Sequence, residues 1–221
     1  MLWLAKPNSN AFASKFKILN KQFNRSGILF LISAPSGAGK TTLVDALRQT
    51  SEFVYSVSCT TRPARAGEIE GEDYYFVSES EFQERVRAGE FLEHAKVYGY
   101  YYGTSRDTVV KNLKNGSDVL IDIDTQGAAS IRSFKDQFIR DAFVDVFIMP
   151  PTLEELRRRL TKRGTETADQ IETRLAQGAR EMKLWRDYRY TIISRSTDED
   201  LEKFRHIVAA ERYLSRRLIE S

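Results

Sequence analysis

The sequence predicts an α/β fold in which a parallel sheet is covered by helices on both faces. Three observations predict it. The runs "ILFLIS" (residues 28–33), "DVLIDID" (118–124) and "FVDVFIM" (143–149) are short and continuously apolar, as strands buried on both faces must be. Helical patterns lie between them, for example "QGAASIRSFKDQF", and buried strands alternating with helices build parallel sheets. The first run leads directly into "APSGAGKTT" (34–42), which opens a helix reading "GKTTLVDALRQT".

Composition narrows the class of partner. At 221 residues the chain is long enough for one or two domains with a sizeable core. A formal charge of +3 is too mild to point to nucleic acid. No run of about 18 apolar residues predicts a span, so no membrane partner is expected. Cys59 is the single cysteine; it cannot form an internal disulfide, which fits a reducing compartment. No Cys/His cluster suggests zinc.

Taken in order, residues 1 to about 26 come first and stand apart. No acidic residue precedes Asp45, and Lys6, Lys15, Lys17, Lys21 and Arg25 make the tail basic. Phe12, Phe16, Leu19 and Phe23 fall on one face of a possible helix. The expectation is a flexible extension and a cytoplasmic protein; the alternative is a transit peptide and an organelle matrix. No adequate apolar segment makes it a secretory signal.

The turn after the first strand nearly matches G-x-x-x-x-G-K-[ST], with Ala34 in place of the first glycine. Ala34, Pro35, Ser36, Gly37, Ala38, Gly39, Lys40, Thr41 and Thr42 form the expected ATP-phosphate cradle. Gly37 and Gly39 let backbone N–H groups turn onto phosphate oxygens, and the helix N-terminus favours the anion. Lys40 reaches the β- and γ-phosphates, and the Thr41 hydroxyl can ligate Mg²⁺. Such a loop serves GTPases, ATPase motors and small-molecule kinases alike. No Asn-Lys-x-Asp base motif follows a later strand, which disfavours the GTPase.

The segment at about 54–104 has short, aromatic, glycine-separated pieces, as in "GEDYYFV" and "VYGYYYGTS". It reads as a small, partly antiparallel insertion. It opens with "SCTTRPARAGEIEGEDYY" (58–75), where Arg62 and Arg65 sit three apart around the stiff Pro63. Two guanidinium forks at fixed spacing suit a dianionic phosphate, and Tyr74 and Tyr102 offer phenol donors. A second phosphate site opposite the cradle is the geometry of a nucleoside monophosphate kinase. Further on, Ser78 with Glu81, Thr152 with Glu155 and Thr167 with Gln170 mark helix starts. "LRRRLTKRGTETADQIETRL" (156–175) is basic, and taken alone is a solvated helix face laced with Glu.

"SCTTRPARAGEIEGEDYYFV", "FLEHAKVYGYYYGTSR" and "DVLIDIDTQGA" resemble the signature segments of guanylate kinases, a family with the P-loop NTPase fold. The resemblance runs from about residue 27 to the C-terminus and implies one domain over 27–221, with a GMP-binding insertion and a helical lid at about 156–178. It implies that Glu93 and Asp124 accept from the guanine N1 and N2 groups, and that Ser58 and Thr104 supply hydroxyls to the base. Adenine presents the reverse donor pattern, so buried carboxylates would be left unpaired. Arg62, Arg65, Tyr74 and Tyr102 would hold the GMP phosphate, and Asp122 would orient Mg²⁺ or its waters. Arg159, Arg163 and Arg174 of the lid, with Lys40, would compensate charge on the transferring phosphoryl group. His94 is given no catalytic role.

The implied reaction is Mg·ATP plus GMP giving ADP and GDP, by a monomer or homodimer. The GMP phosphate, with a second pKa of about 6, is already a nucleophile and needs no general base. One departure stands out. Many guanylate kinases carry Val-Asn-Asp-Asp after the last core strand, whereas this chain reads "IISRSTDED", with Ser194 at the Asn position; the adenine contact is therefore in question. The rival reading is a catalytically silent, guanylate-kinase-like scaffold for protein partners. An intact Lys40-Thr41 and both phosphate arginines argue against it. Ser58, Glu93, Thr104 and Asp124 together disfavour a kinase for another substrate.

Overall fold

The computed structural model describes residues 23–97, 99–162 and 167–220. In chain order they form β1 (Phe23–Arg25), β2 (Leu29–Ser33), α1 (Lys40–Arg48), β3 (Val54–Tyr55), β4 (Cys59–Thr60), β5 (Tyr75–Phe76) and α2 (Glu79–Arg87). Then come β6 (Phe91–Val97), β7 (Tyr100–Ser105), α3 (Arg106–Lys114), β8 (Val119–Asp122), α4 (Thr125–Arg132), α5 (Gln137–Ala142) and β9 (Phe143–Met149). The last are α6 (Leu153–Lys162), α7 (Ala168–Met182), β10 (Tyr190–Ile193), α8 (Thr197–Arg212) and β11 (Leu218–Glu220).

Five strands lie in the order β10–β9–β2–β8–β3, and every neighbouring pair is parallel. β2 runs through the middle with all its residues buried. Strand alternation sends Leu29 and Leu31 to one face and Phe30 and Ile32 to the other. The first pair meets Val109 and Leu113 of α3, Ile131 of α4 and Ile139 of α5. The second meets Leu43 and Leu47 of α1 and Phe204 and Val208 of α8. Each such side chain contributes roughly 1.5–3 kcal/mol by leaving water. Helices therefore cover both faces, as the apolar runs predict. β2 leads into the 34–39 turn, β8 ends at Asp122 and β10 is followed by Ser194, so all three deliver residues to the carboxyl edge of the sheet, where open α/β folds bind ligands.

The insertion is a separate mixed sheet in the order β5–β4–β7–β6. β4 pairs parallel with β5, while β7 pairs antiparallel with both β4 and β6. Its small core is Cys59, Phe82 and Phe91. Phe82 stacks on Phe91 at 4.6 Å and on Tyr101 at 5.4 Å. Ser78, Thr152 and Thr167 each accept from the backbone N–H three residues on, and Thr167 with Gln170 completes the reciprocal box.

Several boundaries differ from the sequence expectation. Val54 and Tyr55 belong to the core sheet, where they pair with Val119 and Leu120, so the insertion starts after them. The "QGAASIRSFKDQF" pattern is two helices, broken before the cap Asp136. The helices of the lid region reach from Leu153 to Met182. Phe23 is in a strand rather than a helix, because Phe23–Arg25 finds a distant partner in Leu218–Glu220. Arg25 Nη2 donates to Asp118 Oδ2 at 2.9 Å, so the ordered domain begins before residue 27. Residues 1–22, with Phe12, Phe16 and Leu19 of the expected helix, lie outside the described residues. Among the described residues no helix is long and apolar enough to cross a membrane.

Candidate active site

The donor cradle is made of backbone. Gly37 and Gly39 adopt φ of 87° and 99°, which side chains with a Cβ rarely allow. Gly37 has a second reason to be glycine, since a Cβ there would lie 2.6 Å from Leu160 Cδ2 of α6. Ala34, Pro35, Ser36 and Ala38 complete the turn, and the Ala38 N–H donates to the Pro35 carbonyl at 3.1 Å. No side chain caps α1 at Gly39. The first-turn N–H groups, those of Lys40, Thr41 and Thr42, are the ones an anion would use. Lys40 Nζ lies 3.1 Å from Asp122 Oδ2, and register places Asp122 beside Ile32 of the central strand.

A cleft of about 240 Å³ adjoins this pair. Lys40 and Asp122 line it together with Arg62, Arg65, Tyr74, Tyr102, Ser58, Glu93 and Asp124. Lys40 from the expected donor-phosphate turn and the residues expected to hold the acceptor phosphate thus border one space. Arg62 is 8% exposed. Its Nη2 donates to Glu68 Oε1 at 2.8 Å and its Nη1 to the Pro63 carbonyl at 2.7 Å. Glu68 Oε2 in turn accepts from the Arg65 N–H at 2.7 Å. Tyr74 and Tyr102 meet edge to face at 5.9 Å. Burial, then the Asp122 charge, pushes the Tyr74 phenol up to about 12, so it stays a donor.

Glu93 sits on β6 and is 6% exposed. A bulge shifts the β6–β7 register between Phe91 and Glu93, re-aiming the side chain. Its neighbour His94 points to solvent. Burial, chiefly, and the Asp124 charge push the Glu93 carboxyl up to about 7, against the opposing hydrogen bond from Thr104. Asp124 caps α4 with Oδ1, which accepts from the Gly127 N–H at 2.9 Å. One Asp124 oxygen thus serves the helix while the residue also lines the cleft. Gly127 leaves the room Glu93 needs, because a Cβ there would fall 2.7 Å from Glu93 Oε2.

The guanylate kinase family model matches residues 26–211. The chain belongs to the guanylate kinase family. It is 41% identical to the guanylate kinase of Clostridium tetani over 186 residues, which covers 84% of this chain and 87% of that one. It is 46% identical to the guanylate kinase of Novosphingobium aromaticivorans over 190 residues, covering 86% and 84% respectively. The crystal structure of guanylate kinase from Anaplasma phagocytophilum superposes with a TM-score of 0.74 at 34% identity, covering 90% of this chain and 93% of that one.

Two residues that the guanylate kinase resemblance places at the nucleotides, Thr104 and Arg159, are bonded to protein groups. Thr104 is wholly buried, and its hydroxyl donates to Glu93 Oε1 at 2.7 Å. It holds the carboxylate and is not a lining group of the cleft. Arg159 is held by protein groups on several sides. Its Nε donates to Glu155 at 2.7 Å, its Nη1 to the Ala38 carbonyl at 2.7 Å and the Ser194 hydroxyl at 3.0 Å, and its Nη2 to the Ser194 carbonyl at 3.2 Å. It is a strut between α6, the cradle and the end of β10. Arg163 lies outside the described residues. Arg174 of α7 shares a helix face with Gly178 and Glu181, and that face packs toward the cradle. A Cβ on Gly178 would meet Leu156 at 2.6 Å and Pro35 at 3.9 Å, and Glu181 Oε2 accepts from the Ser36 N–H at 3.2 Å.

Ser194 is buried and engaged with Arg159. A second hollow beyond it is lined by Gly39, Thr42, Arg158, Ser194, Thr197 and Asp200 among others. Sequence reasoning missed Glu68, Glu181, Gly127 and Tyr55, whose hydroxyl donates to Asp122 Oδ1. Gly127 alone left a signal: a glycine inside a helical pattern costs about 1 kcal/mol and asks for a reason.

Proposed function

We propose that the chain transfers the γ-phosphoryl group of ATP to GMP, and to dGMP, giving ADP and GDP. The observation that carries this is the shared cleft, in which Lys40 and Asp122 face Arg62, Arg65 and Tyr74, with Glu93 and Asp124 beyond them. A donor-phosphate cradle, an acceptor-phosphate clamp and a pair of base-reading carboxylates then act on two nucleotides brought end to end. Positioning two phosphates in line is most of the catalysis such a transfer needs. Lys40 compensates charge from the donor side, Arg62 and Arg65 hold the acceptor, and Arg159, Arg163 and Arg174 are the further cations that the family resemblance assigns to the transferring group. The acceptor phosphate, with a second pKa of about 6, attacks as a dianion. No side chain has to remove a proton. Lid closure would keep water from competing for the phosphoryl group.

Glu93 and Asp124 accept from guanine N1 and N2, with the Ser58 hydroxyl beside them. The adenosine of ATP occupies the hollow beside Ser194 and Thr197. Among the described residues no group of three or more His, Cys, Asp or Glu side chains is arranged to hold a metal. The Thr41 hydroxyl and the Asp122 carboxylate are oxygen donors of the kind that suit Mg²⁺ carried by nucleotide phosphates, and they would be its protein partners. When bound, Mg²⁺ neutralises charge on the β- and γ-phosphates. A cytoplasmic location fits a nucleotide-consuming enzyme whose buried cysteine has no disulfide partner.

ADP production from Mg·ATP, compared across GMP, dGMP, AMP, CMP and UMP, tests the reading. Turnover confined to GMP and dGMP supports it. Rapid turnover of AMP or UMP removes Glu93 and Asp124 from base recognition. No turnover with GMP still bound returns the scaffold reading.

A further inference from the structure

Tyr55 lies on the edge strand β3, opposite Leu120 of β8, two residues short of Asp122 along the neighbouring strand. Its side chain bridges that gap, and its hydroxyl donates to Asp122 Oδ1. The other oxygen, Oδ2, accepts from Lys40 Nζ at 3.1 Å. Each oxygen of the carboxylate therefore has its own donor. The phenol itself is braced. One ring face packs against the core that contains Phe30 and Leu120, and the Arg48 guanidinium lies over the ring at 4.4 Å. Arg48 is fixed in turn, its Nη2 donating to the Glu72 carbonyl at 2.7 Å and its Nη1 lying 3.6 Å from Asp73 Oδ1.

The two donors to Asp122 differ in what the reaction asks of them. Lys40 must turn toward nucleotide phosphates when the cradle fills. Tyr55 has no such second duty, since its hydroxyl faces Asp122 and its ring is held by the core and Arg48. A carboxylate left with Lys40 alone would lose its orientation at the moment the donor binds. We propose that Tyr55 is a positioning residue for the phosphoryl transfer, its hydroxyl holding the Asp122 carboxylate in one orientation while Lys40 moves to the donor. This rests on the placing of Asp122 at the Mg·ATP site proposed above. The residue type carries the inference, because phenylalanine would fill the same space without the bond.

The test uses Tyr55→Phe, Asp122→Asn and the double variant in the full chain. Tyr55→Phe should lower kcat about fivefold and raise the Mg²⁺ concentration at half-maximal rate, with KM for GMP unchanged. Calorimetry of ATP with and without Mg²⁺ should show the Mg²⁺-dependent part of the affinity reduced, while GMP binding in the absence of ATP stays at the unsubstituted level. In the Asp122→Asn background, Tyr55→Phe should cost less than about twofold, because the two groups act as one unit. Unchanged turnover and an unchanged Mg²⁺ curve for Tyr55→Phe, beside an impaired Asp122→Asn, overturn the Tyr55 proposal alone. Losses that multiply in full in the double variant overturn it too, since the hydroxyl then works without Asp122. Normal turnover of Asp122→Asn removes the Asp122 assignment, and Tyr55 falls with it. An altered melting temperature with unaltered kinetics and Mg²⁺ dependence assigns the bond to stability and rejects the proposal.

Discussion

The turn expected to cradle the donor phosphates and the cleft beside it are built from different kinds of group. The donor cradle is backbone, shaped by Gly37 and Gly39 at positive φ and by the start of α1. The acceptor pocket is side chain, with Arg62, Tyr74, Glu93 and Asp124 converging from the insertion and from β8. Backbone N–H groups carry no information about a base, so the cradle serves any nucleotide polyphosphate. Side chains can be matched to one hydrogen-bonding edge, so the pocket can choose. The difference separates rate from selectivity within one small volume, and substitutions can pull them apart.

The largest expected effect falls on rate. Lys40→Ala removes the cation facing the transferred group, and kcat should drop by about 10²–10³. Calorimetry should find GMP binding intact, and a parallel loss of GMP affinity would mean that cradle and pocket are not separable. Next comes selectivity. Glu93→Gln leaves the amide where a carboxylate should accept, and GMP affinity should fall about 30-fold to 1,000-fold, with ATP affinity unchanged.

The same variant should show a cost that the pocket imposes on the fold. Burial raises the Glu93 carboxyl from 4.5 to about 7, so the folded state binds this proton more tightly than the unfolded one. Its contribution to stability is complete below pH 4.5 and is lost as pH rises toward about 7. Unliganded Glu93→Gln should therefore be more stable above that range, by up to about 3 kcal/mol, as read by urea unfolding. Over the same interval GMP should bind the unsubstituted protein more tightly as Glu93 ionises, and the variant should keep only the part of the pH dependence that comes from the GMP phosphate, with its second pKa of about 6. Identical profiles for the two proteins would detach Glu93 from the base.

Gly127→Ala gives a smaller and sharper test. Alanine favours helix α4 by about 1 kcal/mol, yet its Cβ falls 2.7 Å from Glu93 Oε2. KM for GMP should rise about tenfold without a matching change for ATP. Equal KM values would mean that Glu93 gives way freely. Smallest of all, Ser194→Ala removes one donor–acceptor contact from the Arg159 strut. It should cost about 1 kcal/mol of stability with only a slight loss of turnover. A large loss confined to ATP affinity would make Ser194 a base contact after all.

Legibility in the sequence followed the same division. β2, β8 and β9 could be read because burial on both faces leaves only apolar residues, and the cradle because its backbone needs glycines at fixed spacing. Arg62, Arg65 and Tyr74 could be read because they sit close together in the chain, and Glu93 and Asp124 through the family resemblance. What stayed hidden depends on partners far apart. The contacts of Arg159 with Ala38 and Ser194 span 121 and 35 residues. The bond from the Thr104 hydroxyl to Glu93 depends on the register shift in β6. Glu181 meets the Ser36 N–H only because Gly178 lets α7 lie close to α6. The two-residue strand Val54–Tyr55 is too short to show any periodicity.

The short ladder between β1 and β11 has a mechanical meaning. It is antiparallel, with Phe23 opposite Glu220 and Arg25 opposite Leu218, so both outer ends of the described chain leave the domain side by side. A pull on those ends loads the rungs one after another, like a zipper, instead of shearing them together. The ladder is the weak link in that direction. Behind it stands the Arg25–Asp118 pair, to which the Ile28 N–H and Arg212 Nε add further donors at 3.0 and 2.7 Å. A tether or fused partner attached at either end would strain this clasp first and leave the central strand, with the cradle at its tip, unloaded.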